Sequence, residues 1–132
     1  MIALMPRIKF VLEYDFQKVP ISLLWQFIST NSGLERWYAD EVLNQGKDYT
    51  IVWNDEPQEA KLLASRQDSY MRFHWKNDGD EPTFFEMRIL VSELTHGRTL
   101  QITDFAADEA EVEEFTDLWN HSVDQLKRNL GI

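Results

Sequence analysis

The chain has no cysteine. That removes disulfides, thiolate metal sites and cysteine nucleophiles, and it accords with a reducing compartment. Long apolar runs are missing as well: nothing approaches the ~20 residues of a membrane span. The opening Met1-Ile2-Ala3-Leu4-Met5-Pro6 is apolar but short, with no basic residue before it, and makes a poor signal peptide. The chain therefore reads as cytoplasmic. Positive charge is scarce: 13 Lys and Arg stand against 23 Asp and Glu, a net charge of −10. Nucleic acid and anionic membranes need clustered Lys and Arg, so neither is expected as a partner. Solubility alone accounts for such acidity. GxSxG, P-loop, GxGxxG and HExxH patterns are all absent. His74, His96 and His121 lack metal-ligand spacing, so no metal, no cofactor and no catalytic residue is expected.

What is present is a large apolar inventory. Hydrophobic residues make up 43% of the 132, among them five Trp, four Tyr and eight Phe. A single domain over 1–132 with a substantial core is expected. No linker, repeat or low-complexity segment interrupts it.

The strongest local signal lies at the end, from Asp108 to Ile132. Asp108 suits an N-cap, and Glu111 three residues on completes a capping box. Val112, Phe115, Leu118, Trp119, Val123, Leu126 and Leu130 then recur at helical spacing. Lys127, Arg128 and Gly131 suit a helix C-terminus. Such a helix needs a broad apolar partner.

The rest of the chain supplies one. Residues 7–16 alternate as a half-buried strand. Pro20 with Leu23, Leu24, Phe27 and Ile28 predicts a short helix. Ser32 and Glu35 predict a capping box for a second one carrying Leu34, Trp37 and Tyr38. This helix–turn–helix shape carries only Lys18 and Arg36 as bases, which disfavours DNA reading.

From residue 41 the period is two. Hairpins are expected with Trp53 facing Ala60, Leu62 facing Phe73, Trp75 facing Phe85 and Phe73 facing Met87, the apolar residues sharing one face. Ala60, Leu62 and Ala64 form the apolar set of one strand. Gln67-Asp68 is expected as a two-residue turn. On the other face His74 is expected opposite Glu86, with Arg72 diagonal to it. The class is α+β: a curved antiparallel sheet of about six to seven strands around a long C-terminal helix, with two short helices after the first strand.

Four stretches carry a family resemblance: Gly33-Leu34-Glu35-Arg36-Trp37-Tyr38-Ala39-Asp40; Tyr49-Thr50-Ile51-Val52-Trp53; Tyr70-Met71-Arg72-Phe73-His74-Trp75; and Leu118-Trp119 with Leu126-Lys127-Arg128-Asn129-Leu130. The sequence resembles the START-like, or Bet v 1-like, superfamily, and within it the domains related to the activator of heat-shock protein 90 ATPase. It also looks like a small bacterial group of START-like domain proteins. The resemblance implies a helix-grip fold. It also implies one of three functions: a module holding a small hydrophobic ligand, a protein-interaction domain, or a cyclase-like enzyme.

The aromatic set Trp53, Phe73, Trp75, Phe85, Phe115 and Trp119, with Met87, reads either as an ordinary packed core or as the wall of the ligand cavity that the resemblance implies. Asp104 is the odd residue. Strand alternation puts it on the apolar face beside Met87, where it is either a polar anchor in that cavity or a cap at a strand end. A small hydrophobic molecule and a protein are both open as partners.

Overall fold

The computed structural model describes residues 7–132, so the apolar opening discussed above lies outside the described residues. Strand β1 (Ile8–Asp15) alternates as its sequence demands: Ile8, Phe10, Leu12 and Tyr14 are half-buried and their neighbours exposed. Helix α1 (Ile21–Ser29) follows Pro20 and buries Leu24, Phe27 and Ile28. Leu23 is 39% exposed and belongs to the outer face instead.

The second helix departs from expectation. Helix α2 (Asn31–Leu34) is one turn long, and Thr30 caps it by accepting from the Gly33 amide at 2.9 Å. Thr30 takes the cap because the chain turns two residues earlier than the Ser32 pattern implies. Glu35 is thereby released to accept from the Val42 amide at 2.8 Å. Trp37 and Tyr38 fall in the turn beyond the helix, yet both are buried. The α1–α2 corner is tight: a Cβ on Gly33 would lie 2.1 Å from the Gln26 carbonyl oxygen.

Six strands follow: β2 (Glu41–Gln45), β3 (Asp48–Trp53), β4 (Glu56–Arg66), β5 (Tyr70–Trp75), β6 (Phe85–Val91) and β7 (Arg98–Ala106). All pair antiparallel with their neighbours in one seven-stranded sheet, ordered β1-β7-β6-β5-β4-β3-β2.

Two hairpin registers differ from expectation. Asn54 and Asp55 both adopt positive φ, 51° and 64°, forming a two-residue turn that pairs Trp53 with Glu56 rather than Ala60. Phe73 pairs with Phe85 rather than Met87, and Met71 with Met87. The offsets are four residues and two. Both are even, so the apolar residues stay on one face. Leu62 faces Phe73 as expected, but the register then shifts, and Ala64 pairs with Arg72. This bulge carries Ala64 off the apolar face. The β4–β5 connection runs through three residues, Gln67 to Ser69, because Arg66 pairs with Tyr70. Arg72, not His74, stands opposite Glu86.

Helix α3 (Glu109–Leu130) lies across the apolar face and buries Trp119, Val123 and Leu126. Asp108 accepts from the Glu111 amide at 2.8 Å, and the Glu111 carboxylate accepts from the Ala107 amide at 3.0 Å, one residue before the cap. Gly131 ends the helix at φ 75°, with the Ile132 amide donating to Lys127. At ~1.5 Å per residue its 22 residues span about 33 Å. Leu118 is 59% exposed and is no part of the buried stripe. This is the helix-grip arrangement that the resemblance implies.

Candidate functional site

The apolar face of the sheet is broader than the stripe α3 buries. Between them a cleft of about 800 Å³ remains open on one side. Its sheet wall comes from Trp53, Trp75 and Phe85, its helix wall from Phe115, Leu118 and Trp119, and its far end from Arg36 to Asp40 after α2. Exposed Leu118 therefore faces the cleft mouth.

Side chains are fixed here by aromatic packing. Tyr38 stacks on Trp119 with ring centres 5.3 Å apart and meets Trp53 edge-on at 5.2 Å. Trp75 stacks on Phe85 at 4.7 Å. Buried indoles usually place their N–H on an acceptor. Trp53 donates to the Tyr38 carbonyl at 2.7 Å, and Trp37 donates to the Phe27 carbonyl at 2.8 Å. These bonds tie the turn after α2 to the sheet and to α1, so the irregular turn forms a rigid wall. The β5–β6 connection makes another rim. His74 spans it, with ring nitrogens 2.7 Å from the Thr83 carbonyl and 2.8 Å from the Gly79 carbonyl.

Asp104 holds the polar position. It lies on β7 opposite Phe10 of β1, while Met87 pairs with Ile102, so the expected neighbour is displaced by two residues. One carboxylate oxygen accepts from the Trp119 indole at 2.9 Å and the other from the Phe105 amide at 2.8 Å. Burial pushes its pKa up from 3.8 to about 6, against the lowering effect of those two bonds. Tyr38 is likewise pushed well above the usual tyrosine range, first by burial and then by the nearby Asp104.

The structure brings Trp53, Trp75, Phe85, Asp104, Phe115 and Trp119 around one space. Phe73 and Met87 do not reach it. They are 1% and 0% exposed and pack inside the core. Phe73 stacks on Phe85 at 5.0 Å and meets Tyr49 edge-on at the same distance. Tyr38 joins the wall although the sequence pattern places it on a helix, where its ring has no reason to meet Trp119. No signal in the strand pattern marks Thr83 and Phe84, which border the cleft from the connection before β6.

Among the described residues no three His, Asp or Glu side chains gather as a metal set. No helix among them is long and apolar enough to cross a membrane.

The family model of the START-like superfamily domain matches residues 4–132. No curated protein matches the sequence. A Bacteroides fragilis protein solved by NMR is 37% identical, with 97% of this chain and 94% of that one covered and a TM-score of 0.67. The Aha1 dimer from Colwellia psychrerythraea is 13% identical, with 91% and 93% covered and a TM-score of 0.73. CalU16 from Micromonospora echinospora is 15% identical, with 96% and 80% covered and a TM-score of 0.71. The last two show likeness of fold alone.

Proposed function

The chain belongs to the START-like superfamily, and on that premise we propose that it is a non-catalytic module holding a small, largely apolar molecule between sheet and terminal helix. The cleft carries the reading. Its volume of about 800 Å³ is in the range of small-molecule sites, ~300–1,000 Å³. Aromatic rings held by packing and indole hydrogen bonds give a wall that needs little ordering on binding, which favours affinity. The hydrogen-bond partners of Asp104 are an indole and a backbone amide, which hold its carboxylate in place within the wall.

Native mass spectrometry of the freshly purified protein, followed by organic extraction, tests this. A reproducible adduct of a few hundred daltons that disappears in Phe115→Ala supports the reading. A bare mass, together with no change in tryptophan emission on adding apolar probes, would refute it.

A protein-interaction role is the alternative. It is favoured by the exposed acidic residues Glu109, Glu113, Glu114 and Asp117 along α3. A pull-down that survives Glu113→Lys with Glu114→Lys would count against that face as the docking surface.

A further inference from the structure

The cleft is apolar in its walls but one-sided in its charge. Glu35, Asp40, Glu59, Asp78 and Asp104 border it, against Arg7, Arg36 and the His121 imidazole among the described residues. Both guanidiniums have partners already. Arg7 pairs with Glu81 at 3.0 Å and Asp78 at 3.5 Å. Arg36 lies 5.7 Å from the centre of the Phe27 ring, on the α1 side of the turn.

Asp104 is the carboxylate set among the rings, and among the described residues no Lys or Arg forms an ion pair with it. Its two hydrogen-bond donors, the Trp119 indole and the Phe105 amide, are both neutral. The charged groups that bear on it, Asp78 and Glu111, are both carboxylates, and the Tyr38 hydroxyl adds no positive charge. An ionised carboxylate offers roughly four lone-pair positions. Two are used, so about two remain for a donor arriving through the cleft. A buried anion without a cation is an unfavourable arrangement by itself, and an incoming cation or strong donor relieves it. Trp53, Trp75 and Phe115 border the same cleft, and aromatic ring faces attract an alkylammonium.

We propose that the cleft selects an apolar molecule whose polar end is a hydrogen-bond donor, an amine above all, seated against Asp104, and that it rejects carboxylates such as free fatty acids. This rests on the reading of the cleft as a ligand site and adds its head-group chemistry. Rejection follows from the same geometry as attraction. A carboxylate head would meet Asp104 with no cation between them, and like charges in a poorly solvated site repel strongly. An alcohol would satisfy the lone pairs without the charge, and falls between the two.

The test titrates three probes with one apolar body, decylamine, 1-decanol and decanoate, into the full-length ¹⁵N-labelled protein. The Trp119 indole N–H resonance and tryptophan emission are followed at neutral pH and about 0.15 M salt, where surface charges are screened beyond ~8 Å. Decylamine is expected to bind about tenfold or more tighter than decanoate, with decanol between them. Asp104→Asn is expected to bring the three within about threefold of one another.

Equal binding of decylamine and decanoate would overturn the proposal while leaving the cleft as a ligand site. So would a preference that persists in Asp104→Asn, since the net charge of −10 would then be its source. If none of the three moves the indole resonance, the ligand reading falls and this one with it. Should Asp104→Asn fail to fold, acidification of the wild type serves instead. Decylamine should weaken more steeply than decanol below pH ~6 as Asp104 takes up its proton, and should do so in His121→Gln as in wild type. Parallel behaviour of the two would overturn the proposal.

Discussion

Replacing Asp104 by Asn should make the protein more stable at neutral pH than at acid pH, relative to wild type. Two effects compete at this carboxyl. Burial disfavours its charge, while bonds from Trp119 and Phe105 favour it, and burial wins: its pKa moves from 3.8 to about 6. A folded-state pKa raised above the unfolded value means that the native protein holds the proton more tightly. Below pH ~4 both states are protonated, and Asp104 leaves stability unchanged. Between ~4 and ~6 the unfolded chain ionises while the native one resists, so stability falls as pH rises. Above ~6 the full penalty is present. At ~1.4 kcal/mol for each tenfold change in proton affinity, it amounts to about 3 kcal/mol.

Every other carboxylate is common to wild type and variant, so the difference between their stabilities isolates this one group. Urea unfolding of both proteins at steps from about pH 4 to pH 8, with midpoints and slopes fitted together, should show wild type losing about 3 kcal/mol relative to Asp104→Asn. A flat difference would mean that water reaches the carboxyl freely. A difference of opposite sign would mean that the two hydrogen bonds outweigh burial. Either result would refute the reasoning.

Three further outcomes follow from other sites. Burial works to raise Glu86, but its bonds to Arg88 and Arg72 prevail and hold it below the usual range. Glu86→Gln should therefore cost about 1–2 kcal/mol at neutral pH, a loss that fades on acidification through the lowered pKa; an unchanged urea midpoint at pH 7 would contradict this. Gly33→Ala should destabilise by about 2 kcal/mol or more, because its Cβ has no space beside the Gln26 carbonyl; a melting temperature equal to wild type would show that the corner relaxes. Phe73→Leu should lower stability by about 1–3 kcal/mol and leave probe affinity intact, since Phe73 is 1% exposed, whereas Phe115→Leu should do the reverse; calorimetry alongside probe titration separates them, and matching effects would erase the distinction between wall and core.

The legible parts of the sequence were those in which one local rule dominates. Helix α3 shows its cap, its apolar period and its terminal glycine together, and the observed Glu109–Leu130 follows them except at exposed Leu118. Faces of strands survived even where registers did not. Turn chemistry at Asn54 and Asp55 shifts the pairing by four residues, and an even shift keeps the side chains on their side. The bulge that moves Ala64 is an odd shift, and nothing in Leu62-Leu63-Ala64 marks it.

Around the cleft, Trp53, Trp75, Phe115 and Trp119 were recognisable as large apolar residues on the correct faces. Strand alternation alone cannot tell which rings border space and which lie beneath them, so Phe73 and Met87 read from sequence as wall residues. That distinction depends on how far α3 stands from each strand, a tertiary quantity. Tyr38 was hidden for another reason: a one-turn helix capped by Thr30 releases it from helical geometry.

The ring contacts that shape the cleft also make it an optical object. Trp53 and Trp75 stand 6.0 Å apart and tilted by 56°, and Tyr38 sits between Trp53 and Trp119. Indoles at such separation in a fixed chiral arrangement couple their electronic transitions. They then absorb left- and right-handed light as a group rather than singly. The protein thus carries a built-in chromophore assembly whose near-ultraviolet dichroism reads how rings of the sheet, the turn and the terminal helix are spaced, with no label attached.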